Sequence, residues 1–298
     1  MTARIFDIQR FCLHDGEGVR TTVFFKGCPL RCKWCHNPES QKKEIQLMFY
    51  PFKCSACSAC VPACPARAAE NGALRFSREL CRLCGGCIAV CPNEANKICG
   101  RDMSVQEIME NVLDDKIFYG NSGGMTVSGG EPFMQSAALL ELLSAAKGEK
   151  LSAVIETSGF AAAEDIKRAA ELGAVFYYDI KALDEKTHIA CTGVSNRLIL
   201  ENLSLLFSLK APVVLRLPLI DGMNDGEREL ELLADFLKAH RAEYISAQIM
   251  PYHNLGRVKA GALGVQYNAP AENSSEEQNR RRLAFLKERG AVNISISE

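Results

Sequence analysis

The chain of 298 residues is 47% apolar and 24% charged, an ordinary composition for a globular protein large enough for one α/β domain and a smaller module. Its formal net charge of −1 gives no electrostatic basis for binding nucleic acid or a membrane, and no apolar run approaches a membrane span or a signal-peptide core. We therefore expect a cytoplasmic protein whose partners include neither nucleic acid nor a membrane. Fourteen cysteines in such a compartment indicate metal binding rather than disulfides.

The N-terminal residues predict two strands, at 5–8 and 19–25, joined by a turn with the sequence HDGEGVRT (14–21). Two glycines beside Asp15 permit a sharp turn that could direct Asp15 and Arg20 toward the segment following the second strand. A solvent-exposed connection without a functional role is the alternative interpretation.

That following segment is a loop containing three cysteines, Cys28, Cys32 and Cys35, in a CxxxCxxC pattern. Thiolates are soft ligands that suit iron–sulfur clusters, zinc or copper(I). A closed zinc or cluster site needs four protein ligands, and a set of three leaves one metal position open for a substrate. The loop therefore predicts a catalytic metal site, and a zinc knuckle that borrows a distant ligand is the alternative.

Residues 48–100 contain two cysteine runs with the same spacing, CxxCxxCxxxCP. This is the spacing of bacterial ferredoxins, in which the fourth cysteine of each run ligates the cluster of the other run. We therefore predict an inserted ferredoxin-like domain at 48–100, whose two auxiliary [4Fe–4S] clusters replace a hydrophobic core. The predicted ligand sets are Cys54, Cys57, Cys60 and Cys91 for one cluster and Cys81, Cys84, Cys87 and Cys64 for the other. Zinc is the alternative, but zinc ribbons usually pair their CxxC units across longer gaps.

After the insert, Ser104 and Glu107 form a predicted capping box for a helix at 105–113, and strands and helices then alternate to the end. Predicted strands lie at 125–127, 153–156, 175–179, 213–217 and 245–250, and predicted helices at 136–146, 163–172, 196–209, 227–239 and 275–289. With the strand before the cysteine loop these make about six βα units, which predicts an α/β fold, a partial (β/α)6 barrel of the TIM type formed by 1–47 and 101–298. Residues 255–274 are predicted to be a loop and 293–297 an edge strand.

Polar motifs follow the predicted strands, where the chemistry of such barrels is located. Paired glycines let a backbone approach a ligand closely, a carboxylate can accept from an ammonium group, and an Asp and a Lys two residues apart share one face of a strand. The charge of an arginine between two leucines should point into the barrel. The residues concerned are Gly129, Gly130, Glu131, Glu156, Thr157, Asp179, Lys181, Arg216 and His253.

Taken together, these motifs resemble those of glycyl-radical enzyme activating enzymes in the radical S-adenosylmethionine (SAM) superfamily, in the subgroup with a two-cluster ferredoxin-like insert. The resemblance rests on motifs throughout the chain. They are DGEGVR (15–20), GCPLRCKWCHNPES (27–40), the twin cysteine runs, SGGEP (128–132), ETSG (156–159), DIK (179–181), RLPLIDGMN (216–224) and PYHNLG (251–256).

The resemblance implies that Cys28, Cys32 and Cys35 hold a site-differentiated [4Fe–4S] cluster, the third cluster of the chain, whose open iron chelates the amino and carboxyl groups of SAM. The other cofactor contacts that it implies fall into four groups. Trp34 and Asn37 flank the cluster; Gly129, Gly130 and Glu131 bind the methionyl amino group; Lys181 and Arg216 bind the carboxylate side; and Glu156, Thr157, Asp179 and His253 match a monovalent-cation site.

The implied reaction is reductive cleavage of SAM to a 5′-deoxyadenosyl radical, which takes a hydrogen atom from a glycine of a partner glycyl-radical enzyme. Asp15 and Arg20 are our candidates for contacting the partner's glycine loop. We further expect a flavodoxin or ferredoxin as electron donor and a monomeric chain. The alternatives are a radical SAM enzyme acting on a small molecule, and a non-catalytic iron–sulfur electron carrier or zinc protein.

Overall fold

The computed structural model describes residues 1–71 and 73–297. The strands of this part of the chain are β1 (Thr2–Cys12), β2 (Arg20–Phe25), β3 (Gln46–Phe49), β4 (Arg67–Glu70), β5 (Ala73–Phe76), β6 (Asn96–Cys99), β7 (Arg101–Ser104), β8 (Gly124–Gly129), β9 (Ser152–Thr157), β10 (Val175–Asp179), β11 (Val213–Leu219), β12 (Ser246–Pro251) and β13 (Ile294–Ile296). The α-helices are α1 (Gly86–Ala89), α2 (Val105–Leu113), α3 (Ser136–Gly148), α4 (Ala163–Glu171), α5 (Glu185–Thr192), α6 (Arg197–Ser208), α7 (Glu227–Ala239), α8 (Leu255–Leu263) and α9 (Glu276–Glu288).

The largest element is a nine-stranded sheet in the order β13-β12-β11-β10-β9-β8-β2-β1-β7. Strands β2 and β8 to β13 pair in parallel, whereas β1 pairs antiparallel with both β2 and β7. A mixed α/β fold with a parallel sheet is therefore confirmed. Helices follow β8 to β12 at the predicted places, and β13 is the predicted edge strand.

Apolar patterning explains why these segments fold as predicted. The central strands are buried on both faces, as parallel strands covered by helices must be. Phe176, Leu215 and Ile155 have no exposed surface and belong to one core with the inner faces of the helices. The predicted capping box also forms: Ser104 Oγ accepts from Glu107 N at 3.1 Å, and Glu107 Oε2 accepts from Ser104 N at 2.7 Å.

Three of the α-helices were not predicted: the four-residue α1 in the 48–100 segment, α5 and α8. The sequence offers no amphipathic repeat at Glu185–Thr192, where α5 forms with an Asp184 side-chain cap that accepts from Thr187 N at 3.0 Å. The predicted loop at 255–274 is wrong in its first part, since Leu255–Leu263 is helical. That segment contains Gly256 and Gly261, and the low helix propensity of glycine explains why the sequence did not predict the helix.

Residues 48–100 form structure of their own outside the large sheet. Strand β3 pairs with β6, and β4 pairs with β5, each pair being antiparallel. The only apolar cluster centred on this segment in the described residues is small and consists of Leu47, Ala66 and three cysteines, Cys60, Cys64 and Cys87. A segment with so little apolar core needs another source of stability.

Within the described residues, no helix combines the length and the apolar character needed to cross a membrane.

Candidate active site

A cavity of about 180 Å³ lies where the parallel strands end. The carboxyl ends of parallel strands meet at one edge of a sheet, so motifs that are far apart in the sequence converge there. The cysteine loop follows β2, and the neighbouring strands each contribute lining residues. These residues are Gly129 from β8, Thr157 from β9, Asp179 from β10, Pro218 from β11 and Met250 from β12.

Cys28, Cys32 and Cys35 all line this cavity, together with Trp34, His36 and Asn37 from the same loop. Burial raises the pKa of all three thiols, that of Cys32 to about 12. Without metal the thiols are therefore protonated, and a metal must displace these protons to bind.

The donor set fits an iron–sulfur cluster with one open iron, because the described residues lining the cavity include three cysteines and no fourth. No three His, Cys, Asp or Glu side chains of the described chain converge closely enough to hold a single metal ion. The thiolates of a cluster bind separate corners of a cube, so a cluster does not require them to converge on a single point.

Backbone hydrogen bonds fix the cysteine loop from two sides. Cys28 N donates to Gln41 O at 3.1 Å, and Arg31 N and Lys33 N donate to the end of α5, to Thr192 O at 2.7 Å and Cys191 O at 3.0 Å. The unpredicted helix α5 is thus one support of the site.

Helix α8 is the other support. Gly256 packs so tightly on the loop that a Cβ there would lie 2.2 Å from Cys35 O. Lys259 Nζ reaches the same loop, at 2.7 Å from Asn37 Oδ1 and 2.8 Å from Glu39 Oε1. This close approach explains the glycine of the PYHNLG motif, which the sequence alone could not assign.

Two charged pairs line the cavity. Lys181 Nζ lies 2.9 Å from Asp179 Oδ2, as expected for two residues on one face. Burial is the largest single effect and opposes the Lys181 charge, but Asp179 and Cys32 together outweigh it, and the pKa of Lys181 rises to about 12. Arg216 pairs with Glu156, and both side chains are only 14% exposed. Arg216 therefore points inward, as the sequence predicts, with its charge already neutralised.

Glu131 does not line the cavity in this structure. Its carboxylate is buried and accepts from Thr157 Oγ1 at 2.7 Å, Ser158 N at 2.9 Å and Ser158 Oγ at 2.6 Å. In this structure the Glu131 carboxylate therefore holds the end of β9. Gly129 and Gly130 do line the cavity, and a Cβ on Gly130 would lie 2.2 Å from Gly27 O.

The four residues predicted to hold a monovalent cation have side-chain partners of their own in this structure. Glu156 is paired with Arg216, Thr157 with Glu131, and Asp179 with Lys181. His253 is stacked on His36, with 3.8 Å between ring centroids. His36 is a lining residue that the sequence analysis did not single out, and burial, followed by His253, lowers its pKa to about 3.

Arg20 has no exposed surface, so the expectation that it contacts a partner is wrong for this structure. Its guanidinium donates to Thr126 Oγ1 at 2.7 Å and to Met125 O at 2.7 Å, and burial lowers its pKa to about 10. Asp15 is half-buried in the same turn, where its Oδ2 accepts from Thr22 Oγ1 at 2.7 Å. Arg20 holds the turn, and Asp15 faces a cavity.

That second cavity, of about 430 Å³, adjoins the first. It contains Asp15 and His253, and Met48, Tyr50, Lys97 and Cys99 of the 48–100 segment. The residues that line both cavities are His36, Asn37, Ser128, Glu156 and Arg216. The Arg216–Glu156 pair therefore stands in the wall between them.

Four cysteines of the 48–100 segment, which the sequence analysis assigns to one ligand set, lie around the same cavity. This narrow cavity is lined by Cys54, Cys57, Cys60 and Cys91. Backbone amides point at two of these sulfurs, from Ala56 N to Cys54 at 3.4 Å and from Ala95 N to Cys91 at 3.3 Å. Cys64 and Cys87, which belong to the other predicted set, are buried in one apolar cluster, and Cys81 packs against it.

Residues 22–235 match the family model of the Radical SAM superfamily. The chain is 41% identical over 273 residues to the choline trimethylamine-lyase activating enzyme of Oleidesulfovibrio alaskensis, covering 89% of this chain and 88% of the relative. It is 40% identical over 291 residues to the trans-4-hydroxy-L-proline dehydratase activating enzyme of Clostridioides difficile, covering 94% and 96%. The fold is similar to that of Streptococcus suis SuiB bound to the precursor peptide SuiA, with a TM-score of 0.54, 12% identity, and coverage of 91% of this chain and 46% of SuiB.

Proposed function

The chain belongs to the Radical SAM superfamily and, within it, to the activating enzymes of glycyl-radical enzymes; from this premise we propose how its own residues carry out the reaction. Cys28, Cys32 and Cys35 would hold the family's [4Fe–4S] cluster through three thiolates. When bound, the cluster and SAM supply the electron and the 5′-deoxyadenosyl radical that removes a hydrogen atom from the partner's glycine. The observation that carries this proposal is a cavity with three thiols and no fourth among its described lining residues.

The polar contacts of SAM come from the strand ends. The amino and carboxyl groups of its methionyl part form a zwitterion, and the buried Asp179–Lys181 pair offers one charge to each. The backbone of Gly129 and Gly130 allows close approach on the opposite wall. Glu131 acts as a positioning residue, because it fixes Thr157 and Ser158 at the end of β9. Burial of these groups excludes water from a reactive radical.

The partner's glycine loop would enter through the second cavity. Its volume of about 430 Å³ accommodates a short backbone segment, and it adjoins the SAM cavity through five shared residues. Its lining includes acidic residues, Asp7 and Asp15, and basic residues, Lys97 and Lys259. The acidic side chains can accept from the amides of a backbone loop, and the basic ones can donate to its carbonyls. Asp15 is our candidate for contacting that loop.

The open sheet is proposed to be a partial (β/α)6 barrel built from 1–47 and 101–298, and residues 48–100 a ferredoxin-like insert with two auxiliary [4Fe–4S] clusters. The cavity formed by one predicted set of four cysteines supports this, as does the sparse apolar core of the segment. The insert would pass electrons from a flavodoxin or ferredoxin to the cluster held by Cys28, Cys32 and Cys35. The chain would be a monomer and would work in the reducing environment of the cytoplasm.

Anaerobic reconstitution followed by incubation with SAM and a low-potential reductant tests the proposal. We expect 5′-deoxyadenosine and methionine, and an electron paramagnetic resonance (EPR) doublet of a glycyl radical when the correct partner is present. The Cys28→Ala variant is the matched control and should give neither product. 5′-Deoxyadenosine formed in amounts equal to those of the wild type by this control would overturn the assignment of the open-site cluster.

A further inference from the structure

Arg67, the first residue of β4, is a buried cation with an incomplete set of partners. The residue is 4% exposed, and its guanidinium makes one hydrogen bond, from Nη2 to Asn96 Oδ1. Its Nε and Nη1 atoms are buried and have no acceptor among the residues that the structure describes. Since an arginine presents five N–H donors and cannot lose its charge, these groups call for an acceptor that the described residues do not provide.

No carboxylate of the described residues neutralises Arg67. The acidic residue of the same strand, Glu70, is paired with Arg75 at 2.6 Å across the β4–β5 hairpin. Two aromatic rings face the guanidinium carbon, Phe49 at 4.4 Å and Phe76 at 4.0 Å from their centroids. Aromatic faces attract a cation, but they accept no more than a weak hydrogen bond and do not replace a counter-charge.

The position of Arg67 connects both predicted cysteine sets. Its backbone N donates to Cys64 O at 3.0 Å. Its partner Asn96 donates from Nδ2 to Cys87 O at 3.2 Å and lines the cavity of Cys54, Cys57, Cys60 and Cys91. Cys60 of one set and Cys64 and Cys87 of the other are buried in one cluster with Ala66, the residue that precedes Arg67. Arg67 therefore lies next to cysteines of both sets.

We propose that Arg67 is the shared counter-charge of the two auxiliary clusters, donating its free N–H groups to cluster sulfur and favouring the reduced state of each. This inference rests on the proposed presence of those clusters. A cluster with four thiolates is an anion, and one-electron reduction by the external donor adds one further negative charge. A fixed, desolvated cation stabilises the more negative state, and hydrogen bonds to sulfur act in the same direction. Arg67 would thus raise the reduction potential of both auxiliary clusters.

Potentiometric titration of the reconstituted full chain, followed by EPR, tests the inference in three variants. Arg67→Met removes the charge and the donors at similar length, and Arg67→Lys keeps the charge. Arg75→Met is the matched control, since Arg75 is on the same hairpin but 72% exposed. We expect Arg67→Met to make reduction of the auxiliary clusters at least tenfold less favourable, a shift of about −59 mV. Arg67→Lys should shift less than half as far, and Arg75→Met should match the wild type.

Iron content separates the two hypotheses. If the wild type binds only about four irons per chain, the auxiliary clusters are absent. The twin-cluster proposal and the role of Arg67 then both fail, whereas the proposed SAM site is unaffected. If iron content is full and Arg67→Met leaves the potentials unchanged, the role of Arg67 alone is overturned. Loss of auxiliary iron from Arg67→Met but not from Arg67→Lys supports a counter-charge, whereas equal loss from both variants shows a role in packing and overturns the proposal.

Discussion

Arg216 on β11 and Glu156 on β9 form an ion pair that spans the intervening strand β10. Ser128 Oγ on β8 also donates to Glu156, at 2.5 Å from Oε2. The pair lies in the wall between the cofactor cavity and the second cavity, so its two charges are neutralised where both ligands would meet. If a polar group of either ligand displaced one residue of the ion pair, that group would have to neutralise the charge of the other residue.

Removing one charge of this pair should be costly. Arg216→Met leaves the Glu156 carboxylate buried without its partner, and we expect the free energy of unfolding to fall by about 3–5 kcal/mol. SAM affinity should fall as well. The double variant Arg216→Met/Glu156→Gln should recover part of the stability, because no unpaired charge remains. Urea unfolding of the reconstituted proteins measures the stability of the single and the double variant. A single variant as stable as the wild type would contradict the prediction.

The two predicted kinds of cluster should be separable by iron analysis. Cys57→Ala and Cys84→Ala each remove one ligand of a different auxiliary set, and we expect a loss of about four irons in each. Some SAM cleavage with a chemical reductant should remain, since neither cysteine lines the SAM cavity. Cys12→Ala is the control and should leave the iron content unchanged. Full iron content in both variants would refute the twin-cluster prediction.

Helix α8 should be sensitive to a single methyl group at one position. Gly256→Ala would place a Cβ against Cys35 O, so the helix or the cysteine loop must shift. We expect about 1–3 kcal/mol of destabilisation and a loss of site-cluster occupancy, measured by EPR of the SAM-bound cluster. Gly261→Ala in the same helix has no atom within 4 Å of its new Cβ and should be neutral or slightly stabilising.

His188 predicts a pH dependence of stability. Burial lowers its pKa although its Nδ1 contacts Val194 O at 2.8 Å. The unfolded chain therefore binds a proton below about pH 6.5 that the folded chain does not, and stability must fall as pH decreases through that value, by at most about 1.4 kcal/mol per unit. Thermal unfolding between pH 7.5 and 5.5 should be less pH-dependent in His188→Gln. An exposed-histidine variant, His14→Gln, should keep the slope of the wild type.

Asp15 should affect the partner more than the cofactor. Asp15→Asn keeps an oxygen that can accept from Thr22 but removes the charge that faces the second cavity. We expect uncoupled SAM cleavage within about twofold of the wild type and a clear loss of glycyl-radical yield. Quantifying 5′-deoxyadenosine with and without the partner distinguishes the two. An equal loss of both products would place Asp15 in SAM binding instead.

Local patterns predicted the parallel strands well, because each is an apolar run bounded by polar motifs. The partners of charged side chains were not predictable, since Arg216 and Glu156 are 60 residues apart and meet only through the sheet order. Arg20 shows the same limit: its motif suggested a contact surface, whereas the fold turns its side chain into the interior. Helix α5 escaped prediction because its residues lack a helical apolar repeat, although the cysteine loop depends on its last carbonyls.

Strands β3 and β6 carry Met48, Lys97 and Cys99 into the wall of the second cavity. The passage proposed for the partner's backbone is therefore assembled from two parts of the chain, the large sheet and the 48–100 segment. If both proposals hold, exchange of residues 46–99 between related chains would transfer partner recognition together with the electron relay. Deletion of residues 46–99 would remove one wall of the second cavity and leave it open to solvent on that side.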